Sequence, residues 1–178
     1  MRTIKRNIIA GLALFAVIGL MTPSFATATP PSTGDKVRKE LVTLPYYGVF
    51  DNLAYEIQGD TVILSGQVVR PITRKDAERR VKKIEGVSRV INNIEVLPVS
   101  SFDDSIRRRT YRAVFRSGSL YRYALGANPS IHIVVKGGRV TLEGVVSNRM
   151  DSQLAYMAAN GVSGVFSVAN NLRVEGNR

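Results

Sequence analysis

Six arginines and two aspartates crowd one run of the chain, Phe102-Asp-Asp-Ser-Ile-Arg-Arg-Arg-Thr-Tyr-Arg-Ala-Val-Phe-Arg-Ser-Gly-Ser-Leu-Tyr-Arg-Tyr123. A guanidinium presents a planar fork of donors that fits phosphate or carboxylate oxygens, so the chemistry on offer is anion recognition. Helical spacing places Ile106, Thr110, Ala113 and Val114 on one side and Arg108, Arg109, Arg112 and Arg116 on the other. Tyr111 and Phe115, four residues apart, flank the boundary. The candidate binding residues are therefore Arg108, Arg109, Arg112, Arg116, Tyr111, Phe115, Tyr121, Arg122 and Tyr123. An amphipathic helix packed on its own sheet, with a solvated basic face, has the same pattern, and that alternative stays open. A second basic run, Arg70 to Lys83, is interrupted by Asp76 and Glu78 and reads as a solvated helix face.

Reaction chemistry finds no comparable set. Asp103 and Asp104 are adjacent at a helix start, where carboxylates complement the helix dipole rather than face one cavity as an acid–base pair. Ser65, Ser147 and Ser152 have no nucleophile motif around them. His132, the only histidine, alternates with Ile131 and Ile133, which predicts a surface position facing away from the hydrophobic side. A lone imidazole is a poor metal site, and the absence of cysteine excludes thiol chemistry, disulfides and Cys-based metal sites. The expectation is a protein with no catalytic residues, metal or cofactor.

The first 28 residues resemble a secretory leader. Arg2, Lys5 and Arg6 precede an uninterrupted run of apolar residues and glycine from Ile8 to Met21, followed by small-residue cleavage sites at Ala26 and Ala28. That run falls short of the roughly 17 residues a membrane span needs. No cysteine follows to take an acyl chain, so the expected product is soluble and periplasmic. From residue 29 onward there are 22 Lys/Arg against 14 Asp/Glu. In an exported protein that excess points away from nucleic acid and towards anionic phospholipid headgroups or other envelope polyanions.

Residues 29–34 read as a linker. A helix is predicted from Asp35, with Val37, Leu41 and Leu44 on one face and Pro45 ending it. A strand carrying Leu53, Tyr55 and Ile57 follows, then a turn at Gly59-Asp60 and a return strand with Val62, Leu64 and Val68. Gly66 suggests a bulge or a close backbone approach. A capping-box-like start at Thr73–Asp76 opens a second helix, which Gly86 stops. One last strand carries Val90, Asn92, Ile94 and Val96. Shifting this pattern by 78 positions reproduces it. Leu53, Tyr55 and Ile57 become Ile131, Ile133 and Val135; Gly59, Gly66 and Gly86 become Gly137, Gly144 and Gly164; and the Asn92-Asn93 pair becomes Asn170-Asn171. An ungapped register through two turns and a helix marks a duplication. The predicted domains are 35–99 and 100–178. In the second, a capping box at Ser101 and Asp104 opens a helix from about Asp103 to Ser117. Upstream of their first strands the copies differ, and the Arg/Tyr-rich run belongs to the second copy alone. Tyr46, Tyr47, Phe50 and Tyr55 read as core or inter-domain packing.

The run Val135-Lys-Gly-Gly-Arg-Val-Thr-Leu-Glu-Gly-Val-Val146, the Gly161-Val-Ser-Gly-Val165 connection and the strand Val168-Ala-Asn-Asn-Leu-Arg-Val174 resemble the BON domain family. The likeness covers nearly the whole chain after the leader, and is stronger in the second copy. It implies an α/β (α+β) fold: two tandem αββαβ domains, each a three-stranded mixed sheet backed by two helices. Gly59, Gly66, Gly86, Gly137, Gly144 and Gly164 are structural positions of that fold. The resemblance also implies a non-enzymatic envelope protein that touches anionic phospholipid and supports integrity under osmotic or other stress. The alternative is a structural module that assembles with itself or with other envelope proteins.

Overall fold

The computed structural model describes residues 31–126 and 128–176, so the leader and the start of the linker lie outside the described residues. The first copy runs α1 (Thr33–Val42), β1 (Asn52–Gln58), β2 (Thr61–Val68), α2 (Pro71–Val81), β3 (Arg89–Asn92) and β4 (Glu95–Val96). The second runs α3 (Ser101–Phe115), a 3-10 segment (Gly118–Ala124), β5 (Ile131–Lys136), β6 (Arg139–Val146), α4 (Arg149–Asn160), β7 (Ser167–Asn170) and β8 (Arg173–Val174). In each copy the first two strands pair antiparallel and the third-strand segments pair parallel to the middle strand.

The register repeats as the residues do. Leu53 opposes Gly66 and Tyr55 opposes Leu64 in one copy; Ile131 opposes Gly144 and Ile133 opposes Leu142 in the other. Alternation buries Val62, Leu64 and Val68 against Val37, Leu41, Ala77 and Val81. The equivalent core gathers Ile131, Ile133, Val135, Val140 and Leu142 against Ile106, Val114, Ala155 and Ala159. All six glycines named from the sequence have positive φ.

The third strand is interrupted in both copies, where the sequence predicts one run, and the Asn-Asn pair is the cause. Asn92 Oδ1 accepts the Ile94 N–H at 3.2 Å, and its amide donates to Arg74 C=O at 3.1 Å. Asn170 makes the matching bonds to Leu172 N–H and Ser152 C=O. The following Asn93 and Asn171 donate their backbone N–H groups to Leu64 and Leu142. The first asparagine thus turns the strand and ties it to the helix above.

Three local expectations are corrected. The capping box at Thr73 does not form: Arg70 is the N-cap and Pro71 starts α2, because its fixed φ suits a first helical position. Thr73 is instead buried one turn in. The cap of α3 is Ser100, not Ser101, and its side chain accepts from Asp103 N–H. His132 is not a surface residue. It does face away from its own domain's core, but Tyr47 and Gly48 of the first copy cover it, leaving it 9% exposed.

That contact joins the two copies. His132 Nδ1 lies 3.2 Å from the Gly48 carbonyl oxygen, which can only accept, so Nδ1 carries the proton. Nε2 faces the Tyr47 hydroxyl at 3.4 Å, with the ring centroids 5.3 Å apart. Ile133 N–H donates to Val49 C=O at 2.7 Å, so the connection after α1 adds a bridge to the edge of β5. Asn128 donates to Val42 C=O at 2.6 Å.

Burial holds the His132 pKa below its ordinary value, against the raising effects of Gly48, Asp51 and Glu143. Burial also pushes Asp51 up, against the N–H groups of Val69 and Gly48, and pushes Tyr47 up to about 12. Because folded His132 binds fewer protons than unfolded, its contribution to stability is intact above about pH 6.5 and is lost as pH falls through that value. Asp51, shifted upwards, acts in the opposite sense just above the ordinary carboxylate range. The melting temperature should therefore drop between about pH 7.5 and about pH 5.5, and the drop should shrink in His132→Gln. Equal slopes in the two proteins would contradict this role.

Candidate functional site

The residues of the Arg/Tyr run separate into two groups. Arg107 is 3% exposed. It pairs with Asp104 and donates to Val135 C=O at 2.7 Å, so it fastens α3 to the edge of β5. Asp103 is also buried, and its two oxygens take the N–H groups of Gly137 and Gly138, each at 2.8 Å. The carboxylate read as a dipole partner is thus a clamp between α3 and the β5–β6 turn.

Arg122 and Tyr123 belong to the fold as well. The Tyr123 hydroxyl donates to Asp151 at 2.5 Å and accepts Ser147 N–H at 2.9 Å. Arg122 pairs with the same carboxylate and lies over the Tyr123 ring. The Tyr123 hydroxyl and the Arg122 guanidinium hold the Asp151 carboxyl below the usual range. Phe115 and Tyr123 are each 7% exposed and join the second core, so neither contributes to an exposed patch as the sequence suggested. Asp151→Asn should cost about 1–3 kcal/mol, because it weakens a charge-assisted network at the start of α4. Urea denaturation measures this, and unchanged stability would contradict it.

Arg108, Arg112 and Arg116 are exposed on the outer side of α3, and Arg109 beside them is half-buried, its Nε enclosed and its guanidinium close to Gly164. None makes an ion pair among the described residues. The basic run around α2 is paired in part: Arg79 pairs with Asp76, Arg80 with Glu40 and Lys82 with Glu78, while Arg70, Arg74, Lys75 and Lys83 make no ion pair among the described residues. Both charge runs therefore keep uncompensated positive charge, and what sets the α3 run apart is the aromatic surface beside it.

Next to the free arginines, Val49, Phe50, Arg108, Tyr111 and Arg112 line a shallow crevice of about 610 Å³. Phe50 meets Tyr111 edge-on, with centroids 6.2 Å apart, and Tyr111 packs on Phe115 at 4.8 Å. The crevice has an apolar floor and two guanidinium groups among its lining residues. Val49 and Phe50 come from the first copy, more than fifty residues before Arg108. The sequence offered Phe50 only as packing and did not single out Val49. Tyr121 is 61% exposed and no described contact joins it to the crevice. A larger cleft of about 760 Å³ lies between the copies, lined among others by Arg38, Tyr55, His132, Glu143 and Arg173. It contains none of the sequence-selected binding residues. Among the described residues there is no cluster of three or more metal-ligating His, Cys, Asp or Glu, and no helix is long and apolar enough to cross a membrane.

A family model described as the BON domain matches the chain twice, at residues 34–98 and 103–176. Similar solved structures include CdsD, a structural protein of the type III secretion system of Chlamydia trachomatis. It is 10% identical over 77% of this chain and 89% of that chain, with a TM-score of 0.31. The C-terminal domain of CdsD is 10% identical over 78% of this chain and 95% of that chain, with a TM-score of 0.27. At those scores neither likeness carries an argument about this chain. No curated protein matches the sequence.

Proposed function

From the premise that the chain belongs to the BON domain family, whose domains are non-catalytic phospholipid-binding modules, we propose that it is an exported envelope protein resting peripherally on anionic phospholipid. The contact is the outer face of α3. The observation that carries the reading is the set of four arginines without ion-pair partners, beside the crevice of Val49, Phe50 and Tyr111. Each exposed arginine near an anionic surface contributes about 1 kcal/mol, so Arg108, Arg112 and Arg116 together supply about 3 kcal/mol, or roughly a hundredfold in affinity at low salt. Tyr111 and Phe50 suit the interfacial layer, where aromatic rings are favoured. The leader-like residues 1–28 support export, and the periplasm with a role in envelope integrity under stress is the setting that suits such a protein.

Cosedimentation tests this reading. The protein should pellet with vesicles rich in phosphatidylglycerol and stay in solution with pure phosphatidylcholine vesicles. Raising salt from about 0.1 M to about 1 M should release most of it, because the screening length shrinks from about 10 Å to about 3 Å. Failure to bind either vesicle at low salt would remove the proposal.

A further inference from the structure

A second aromatic pair stands at the other margin of the same arginine face. Phe102, in the first turn of α3, is 46% exposed, and Phe166, just before β7, is 75% exposed. Their ring centroids are 6.3 Å apart. Phe102 and Tyr111 are nine residues apart on α3, which puts them on opposite sides of the helix and about 14 Å apart along its axis. Arg108, Arg109, Arg112 and Arg116 occupy the arc between them.

The two rings are seated, not loose. A Cβ on Gly138 would fall 2.5 Å from the Phe166 ring and 3.3 Å from the Phe102 ring, so both cross a surface with no side chain beneath. A Cβ on Gly164 would lie 3.6 Å from the Phe102 ring and 3.3 Å from the Arg109 guanidinium, which puts this corner next to Arg109. Phe166 N–H donates to Gly138 C=O at 2.9 Å. Asp103 in turn clamps Gly137 and Gly138 to α3.

The duplication supplies an internal control. Phe166 and Gly138 correspond to Ser88 and Asp60 in the first copy. Ser88 N–H donates to Asp60 C=O at the same 2.9 Å. The fold therefore accommodates serine at this place, and the exposed aromatic ring of the second copy is not needed to build the domain. An apolar pair continuous with an uncompensated cationic face suits a ligand that is anionic outside and apolar beneath, and broad enough to meet both margins of α3.

We infer that Phe102 and Phe166 form a second insertion point, entering the acyl boundary of an anionic bilayer while the arginines hold the headgroups. This rests on the proposed phospholipid contact and adds to it a component that salt does not screen. The chain contains no tryptophan, so Phe166→Trp gives a single tryptophan that can be excited selectively over the tyrosines. With phosphatidylglycerol vesicles carrying brominated acyl chains, its emission should shift to the blue and be quenched. Phe166→Ser should keep the native melting curve and lose at least about tenfold in vesicle affinity, with most of the loss persisting at high salt. If Phe166→Trp pellets with the vesicles but is neither shifted nor quenched, or Phe166→Ser binds as tightly as the native chain, the insertion is overturned while the arginine contact stands. If the native chain does not pellet at all, the phospholipid contact itself fails, and the insertion with it.

Discussion

Charge reversal at Arg108, Arg112 and Arg116 is expected to abolish binding to anionic vesicles and leave a folded protein. All three side chains are exposed and have no carboxylate partner among the described residues. Exposed substitutions away from specific contacts usually change stability by no more than about 0.5 kcal/mol. Glutamates placed late in α3 oppose the helix dipole, which adds about 0.3–1 kcal/mol each at low salt. The fold should survive that loss. Binding should not, because each reversal removes about 1 kcal/mol of attraction and introduces a similar repulsion. The combined change is on the order of 6 kcal/mol, or roughly ten-thousandfold in affinity. Cosedimentation and a melting curve on the same preparation separate the two effects. Native affinity in the folded triple variant would place the contact elsewhere.

Gly144→Ala is expected to disrupt the second domain. Gly144 has φ +118°, and a Cβ there would lie 2.0 Å from the Ser130 carbonyl oxygen and 3.1 Å from its carbon. Both obstacles are backbone, so no side chain can rotate out of the way. The Ser130 carbonyl also accepts Val145 N–H at 3.0 Å, so moving it breaks a bond at the start of the β5–β6 pairing. A loss above about 4 kcal/mol is expected, set against the roughly 5–15 kcal/mol that holds an ordinary domain together. Gly137→Ala provides the comparison. Gly137 also has positive φ, at 57°, but nothing lies within 4 Å of its Cβ position. It should cost only about 1–2 kcal/mol. Gly66→Ala should damage the first domain as Gly144→Ala damages the second, since its Cβ would fall 2.1 Å from Asn52 C=O. Denaturant melts of these variants rank the costs, and similar values for Gly137→Ala and Gly144→Ala would contradict the steric account.

The fold was legible because two copies of one pattern check each other. The alternation at Leu53, Tyr55 and Ile57 could be ambiguous alone, but its repeat at Ile131, Ile133 and Val135 fixes both period and register. The Asn-Asn repeat was visible too, although its use as a strand break depends on carbonyls in α2 and α4 that lie far off in sequence. Helix starts were less legible at Thr73 and Ser101. In both runs several polar residues can cap, and Pro71 and Ser100 decide between them through backbone geometry.

His132 shows a different limit. Alternation determines which face of β5 a side chain takes, but not whether another domain covers that face, and here Tyr47 and Gly48 do. The candidate site divides for the same reason. Spacing separates arginines by helix face, yet only the surrounding fold shows that Arg107 faces Val135 C=O, that Arg122 faces Asp151, and that Arg108 and Arg112 pair with no carboxylate among the described residues. Phe50 could not be joined to Tyr111 from sequence, because their contact crosses the domain junction. Phe166 did leave a signal: it is an aromatic residue where the other copy has Ser88.

The most direct measurement is amide hydrogen exchange with and without phosphatidylglycerol vesicles. Exchange should slow in α3, residues 101–115, and around Val49–Phe50, with less change in α2, where Arg79 and Arg80 are paired within the protein. Protection confined to α2, or none in α3 when the protein is fully vesicle-bound, would contradict the central claim.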